Sequence, residues 1–265
     1  MPTALALGAL LLLSSAAAGG PTPAPDGAGH LRVQVLETLP HDASAFTQGL
    51  EFAGPVLYES TGLVGRSTVS AGPPGRPASV RKALGGGLFG EGITVVGDRL
   101  WQLTWKDGVA IERDRATLTE RRRVAFSGEG WGLCHQRGAA RLVVSDGSSR
   151  LTFRDRDTFA VTGHVNVTLD GTPLGRLNEL ECTPDGAVWA NVFPRDTIVR
   201  VDPDTGAVTA TVDAADLFPA HRRPSRKAVL NGIAAVPGTD EFVVTGKLWP
   251  HLFRVRFIPR AAVRG

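Results

Sequence analysis

A short pattern returns five times along the chain, and it limits the fold more than any other feature. A polar or aromatic residue is followed by Gly or Leu and then by an apolar run. The copies are Gln48-Gly49-Leu50, Glu91-Gly92-Ile93, Trp131-Gly132-Leu133, Glu179-Leu180-Glu181 and Asn231-Gly232-Ile233. Subtracting residue numbers gives steps of 43, 40, 48 and 52, and a period of about 40 to 50 residues signals a propeller or solenoid. Nine to eleven residues into each unit comes a second strand: Leu57-Tyr58, Leu100-Trp101, Leu142-Val143, Val188-Trp189 and Phe242-Val243. A third strand ending at an acidic turn reads Ala110–Asp114, Leu151–Asp155 and Ile198–Asp202, and Leu252–Phe257 repeats it at the end. Short alternating strands broken by Gly, Asp, Asn and Pro predict antiparallel β-structure. Five such units predict an all-β fold, a five-bladed β-propeller. The last unit is one strand short, and Leu31–Leu36 alternates correctly to supply it, closing the ring without an exposed edge. Only Ala214–Phe218 hints at a helix.

The ends and the composition set further bounds. Thr3–Ala18 is a short apolar run ending Ala16-Ala17-Ala18, so residues 1–18 read as a secretory signal peptide, although no Lys or Arg precedes the run. Residues 19–30, rich in Gly and Pro, read as a disordered linker, and 31–259 as the propeller domain. A secreted or periplasmic, monomeric protein with no membrane attachment after signal removal is expected. The net charge of +3 is small, and Arg121-Arg122-Arg123 reads as a solvated loop or strand edge, so no nucleic-acid partner is expected. Asn166-Val167-Thr168 is a glycosylation sequon, meaningful only in a eukaryotic secretory pathway. Cys134 and Cys182 hold equivalent positions in consecutive units. Equivalent points on neighbouring blades are not hydrogen-bonded partners, so two buried thiols are expected rather than a bridge.

Phe89-Gly90-Glu91-Gly92-Ile93 places one carboxylate between two glycines at the head of a β-branched run. Neither Glu nor Gly favours a strand. Glycines allow close approach of backbone or ligand, and apolar surroundings raise a carboxyl pKa, which suits a general acid/base. Aligning the units brings Gln48, Glu91, Trp131, Glu179 (with Asn178 beside it) and Asn231 to one end of the axis. Aligning second strands adds Gly62, Trp105, Gly147, Phe193 and Lys247. The unlike residues at like positions suggest a small aromatic pocket with convergent polar groups. Trp101 and Trp189 read as core. Other motifs read as structure: Asp202-Pro203-Asp204-Thr205-Gly206 is a hairpin turn rather than a calcium loop, the six His show no metal spacing, and Ser145-Asp146-Gly147-Ser148 is no nucleophile elbow.

Read together, Phe46-Thr47-Gln48-Gly49-Leu50, Phe89-Gly90-Glu91-Gly92-Ile93, Gly128-Glu129-Gly130-Trp131-Gly132, Leu177-Asn178-Glu179-Leu180-Glu181, Val229-Leu230-Asn231-Gly232-Ile233 and Thr245-Gly246-Lys247-Leu248-Trp249 resemble the plant and bacterial type of glutamine cyclotransferase (glutaminyl-peptide cyclotransferase). The resemblance runs from about Leu31 to Phe257. It implies a five-bladed propeller and an acyltransferase that converts the N-terminal glutamine of peptides or proteins to pyroglutamate with release of ammonia. It places the catalytic acid on Glu91 and substrate contacts on Phe46, Gln48, Phe89, Trp105, Trp131, Asn178, Asn231 and Lys247. Phe193 stands where the family usually has Trp, keeping an aromatic wall but losing an N–H donor. The resemblance implies no required cofactor. It admits a structural calcium in the channel, for which no side-chain cage is legible. Two other readings stand beside it: a non-enzymatic secreted propeller binding peptide or carbohydrate at its mouth, and a hydrolase using a channel-bound metal.

Overall fold

The computed structural model describes residue 1 and residues 27–260. The proposed signal peptide and most of the proposed linker lie outside the described residues. The described chain is all-β, with no α-helix and one short 3-10 turn at Ala220–Arg222. Ala214–Phe218, the one stretch that hinted at a helix, is a turn.

The strands form three four-stranded antiparallel sheets, one eight-stranded sheet and a two-stranded hairpin at 168–173. Taking the eight-stranded sheet as two halves gives five four-stranded units. Their first strands are Thr47–Ala53, Gly90–Val96, Leu133–Gln136, Leu177–Cys182 and Leu230–Ala235. All five expected second strands and the expected third strands are present. Val80–Ala83, Glu120–Ala125, Val161–Asn166 and Val208–Asp213 form the fourth strands of units one to four. The fourth strand of the fifth unit is Gly29–Pro40, which pairs antiparallel with His251–Pro259 in the register Val33↔Phe257. It also pairs parallel with Val208–Asp213, fusing the fourth and fifth units into one eight-stranded sheet. Arg121–Arg123 lie within the exposed strand Glu120–Ala125, where Asp98, Glu112 and Glu120 pair with them.

Each first strand packs on the next, and the fifth packs back on the first. The apolar core follows the same circuit. Tyr58, Val69 and Ile93 join units one and two. Trp101, Leu133 and Phe159 join two and three, and Val143, Leu177 and Val188 join three and four. Trp189, Ile233 and Trp249 join four and five, while Leu50, Leu57 and Val243 join five to one. Each such fully buried side chain contributes roughly 1.5–3 kcal/mol relative to exposure. Trp101 and Trp189 are core, as their positions suggested.

Cys134 and Cys182 form a disulfide with Cα atoms 5.4 Å apart, which corrects the expectation of two thiols. That expectation treated neighbouring units as separated faces. Their first strands in fact converge on a common axis, where Leu133–Gln136 packs against Leu177–Cys182.

Candidate active site

Four of the five first strands break register at one point. The irregularities fall between Thr47 and Gly49, Gly90 and Ile93, Leu177 and Leu180, and Leu230 and Ile233. A bulge re-aims the side chain it carries, and the first residue inside each of these four is Gln48, Glu91, Asn178 or Asn231, with Gly92, Glu179 and Gly232 second in the last three. The fourth unit therefore presents Asn178, not Glu179, at the shared position. A repeated backbone bond fixes the register: the residue two before each site residue accepts from the end of the second strand. Phe46 accepts from Gly62, Phe89 from Trp105, Arg176 from Phe193 and Val229 from Lys247, at 2.8–3.0 Å. Glu179 turns inward, its two carboxylate oxygens accepting from Leu50 N–H at 3.1 Å and Ile233 N–H at 2.7 Å. Gly92 is required by crowding, since a Cβ there would stand 2.6 Å from Leu133 N and 2.7 Å from Trp131 O.

Gln48, Glu91 and Asn231 form a buried relay across three units. Gln48 Nε2 donates to Glu91 Oε1 at 3.0 Å, and Asn231 Nδ2 donates to Gln48 Oε1 at 3.3 Å and to the Thr47 carbonyl at 2.9 Å. Glu91 is 4% exposed, and its Oε2 has no hydrogen-bond partner. The Asn178 and Asn231 Oδ1 atoms are likewise buried and unpartnered. Burial pushes the Glu91 carboxyl well above its ordinary range; the Lys247 charge opposes that shift and the Glu129 charge reinforces it. Burial lowers the Lys247 ammonium to about 8, against the pull of Glu91. Lys247 is 5% exposed, with its Nζ 4.9 Å from the Phe46 ring centroid and 5.5 Å from that of Phe193. A buried lysine needs compensation; here two ring faces and a nearby carboxyl supply it.

The aromatic side chains form a closed circuit around these groups. Phe46 meets Phe89 at 6.3 Å between centroids, Phe89 meets Trp105 at 5.5 Å, and Trp131 meets Phe193 at 5.9 Å. Lys247 closes one gap, between Phe193 and Phe46. Glu129 closes the other: its Oε2 accepts from Trp105 Nε1 at 2.7 Å and Trp131 Nε1 at 2.9 Å, and its Oε1 faces Lys106 at 3.4 Å. All ten residues assigned from the sequence thus gather at one end of the first strands. The sequence reading gave Glu129 no role. Its signal was present, because Gly128-Glu129-Gly130 repeats the form of Gly90-Glu91-Gly92.

Two concavities lie elsewhere. One of about 490 Å³ borders His41, Glu59 and the Pro-rich turn at Pro73–Pro77. The other, of about 960 Å³, lies at the opposite end of the first strands beside Glu51, His135 and Glu181. Burial raises the carboxyls of Glu51, to about 7, and of Glu181. Among the described residues no three His, Cys, Asp or Glu side chains converge as a metal cage, and both oxygens of Glu179 are taken by backbone. These side chains do not fit a calcium site, and no step below runs through a metal.

A buried, raised carboxyl under an aromatic rim, with amides and one lysine around it, can move a proton within a water-poor pocket. Known proteins share this arrangement of sequence and fold. The family model described as glutamine cyclotransferase matches residues 5–257. A glutaminyl-peptide cyclotransferase from Arabidopsis thaliana is 34% identical over 238 residues, covering 88% of this chain and 73% of that protein. The crystal structure of Myxococcus xanthus glutaminyl cyclase aligns with a TM-score of 0.82 at 37% identity, covering 88% of this chain and 100% of that one. The chain belongs to the glutamine cyclotransferase family.

Proposed function

We propose that this chain carries out the reaction its family is named for: it closes the N-terminal glutamine of a peptide to pyroglutamate and releases ammonia. The observation that carries the reading is the Glu91 carboxyl, buried beneath the ring circuit with one oxygen held by Gln48 and the other unpartnered.

The nucleophile is the substrate's own α-amine and the electrophile its γ-carboxamide carbon, so the reacting atoms arrive already tethered. The pocket has to fold them together and keep water out. An α-amine has a pKa of about 7.7–8.0 and is mostly protonated at neutral pH. Once that proton is lost to solvent, the amine attacks, a C–N bond forms and the carbonyl becomes an oxyanion. Glu91 Oε2 takes the second proton from the attacking nitrogen and delivers it to the departing NH₂ group. The carbonyl re-forms, the old C–N bond breaks and ammonia leaves. Of the amides and the lysine that could steady the oxyanion, Asn231 already spends both N–H donors within the relay, and Gln48 spends one of its two. That leaves Lys247, the Asn178 amide and the second N–H of Gln48 as the donors for the oxygen. Trp105, Trp131, Phe193, Phe46 and Phe89 wall the pocket.

We read the five units as the blades of a five-bladed propeller spanning 31–259. Supporting this are the circuit of first-strand contacts, the five core clusters that join successive units, and the N-terminal strand that completes the last one. The Cys134–Cys182 bridge suits an oxidising compartment, in keeping with export by a signal at 1–18.

The test is ammonia release from a Gln-initiated peptide beside the same peptide N-acetylated. The free peptide yields one ammonia per pyroglutamate and the acetylated one yields none. Ammonia from both would point to an amidase, and ammonia from neither would support the non-enzymatic reading.

A further inference from the structure

One side of the rim carries charge that the reaction does not use. The segment 214–229, between Val208–Asp213 and Leu230–Ala235, is the longest connection at the site's end of the molecule. It ends beside the site, where the Val229 carbonyl accepts from the Lys247 N–H at 2.9 Å. Arg223 ties it to the neighbouring hairpin through Asp196 at 2.8 Å. Beyond that pair it presents Arg222, Arg226 and Lys227 to solvent. Arg195, two residues after Phe193, and Arg176, whose carbonyl accepts from the Phe193 N–H at 2.8 Å, add two more exposed cations on the same side. None of these five pairs with a carboxylate among the described residues, and the segment's own exposed acid is Asp216. The second and third units differ: Glu129 answers Lys106, and Asp107 and Asp146 leave that side acidic.

We propose that the rim formed by Arg176, Arg195, Arg222, Arg226 and Lys227 receives the residues that follow the N-terminal glutamine and selects peptides acidic in those positions. This rests on the cyclotransferase reading. With the glutamine seated at Glu91, the residues that follow it can leave the pocket as an extended chain gaining about 3.3–3.6 Å per residue. The charge asymmetry sets the direction: the amine end faces Glu91 and Glu129, and the outgoing chain crosses the cationic side. Uncompensated like charges around a cleft concentrate an oppositely charged ligand and speed its arrival, and salt screens the effect.

The experiment uses three Gln-initiated peptides of equal length whose later residues are acidic, neutral or basic, and reads kcat/KM at low and at roughly 0.5 M salt. The wild type is expected to favour the acidic over the basic peptide by about tenfold at low salt, chiefly through KM. The ratio is expected to fall toward one at high salt, and to shrink or invert in an Arg222→Glu, Arg226→Glu, Lys227→Glu variant. Equal rates for all three peptides at low salt, or a preference that survives either salt or the triple variant, would overturn the inference. The neutral peptide separates the two readings: if it is not cyclised, the cyclotransferase assignment itself has failed.

Discussion

One oxygen of Glu129 holds two indoles from different units, and the other faces Lys106. Its charge also reinforces the raised pKa of Glu91, while Lys247 opposes it. These two effects can be separated. In Glu129→Gln the amide oxygen still accepts from both indoles but the charge is gone, and the freed Lys106 acts in the same direction. The Glu91 pKa then falls, and because Glu91 in its proposed role works deprotonated, the acid limb of the kcat profile moves to lower pH. In Glu129→Ala the rings lose their anchor as well, and KM rises roughly five- to tenfold, the loss of about 1–1.5 kcal/mol of hydrogen bonding. An unchanged acid limb in Glu129→Gln would remove Glu129 from the electrostatics of the site. At this scale the sequence was legible where chemistry contradicts folding. A Glu heading a β-branched run stands out, and so does a Lys between Gly246 and Leu248. Glu129 shares the Gly-Glu-Gly form of Glu91 but stands out less, because no apolar strand follows it directly and its purpose appears only once two tryptophans from different units are brought together.

The strands show what periodicity carries and what it loses. First, second and third strands could be read because their faces pack on neighbouring units. The fourth strands Val80–Ala83 and Glu120–Ala125 are exposed and charged, so no buried face imposes a pattern. The one-residue error at Glu179 has a similar cause. Leu177-Asn178-Glu179-Leu180-Glu181 carries Glu179 where two other units carry Gly92 and Gly232, so without that glycine as a marker the alignment slips by one residue. Closure of the circuit depends on a contact no pattern announces: His41, just after Gly29–Pro40, donates between Glu59 Oε1 at 2.9 Å and the Trp249 carbonyl at 2.8 Å. Burial lowers the His41 pKa, but the hydrogen bond and charge of Glu59 outweigh it and leave it raised above 6.5. A raised histidine stabilises fully below its unfolded pKa, and that contribution is lost as pH climbs through the folded value. Glu59→Gln should therefore cost about 1.5–3 kcal/mol near pH 6 and less at pH 8 in denaturant unfolding. A loss that is the same at both pH values would contradict the ion pair.

At the scale of the whole molecule, sequence reasoning found the number of units and the end at which their unlike residues gather. It missed how closely the first strands converge, and therefore the bridge between Cys134 and Cys182. Spacing along a chain says which positions are equivalent. It does not say how near equivalent positions on adjacent units approach, which depends on the radius of the circuit they form. That convergence also gathers the groups of the proposed chemistry: an acid from the second unit, amides from the first, fourth and fifth, and a lysine from the fifth. The most direct test is steady-state kinetics of Glu91→Gln on a Gln-initiated peptide, with thermal unfolding as the check on folding. The substitution keeps the shape of the side chain and an oxygen for Gln48 but removes the base. The account predicts a fall in kcat of at least about a hundredfold with little change in KM and an intact fold. A folded Glu91→Gln enzyme within a few-fold of the wild-type kcat would contradict it.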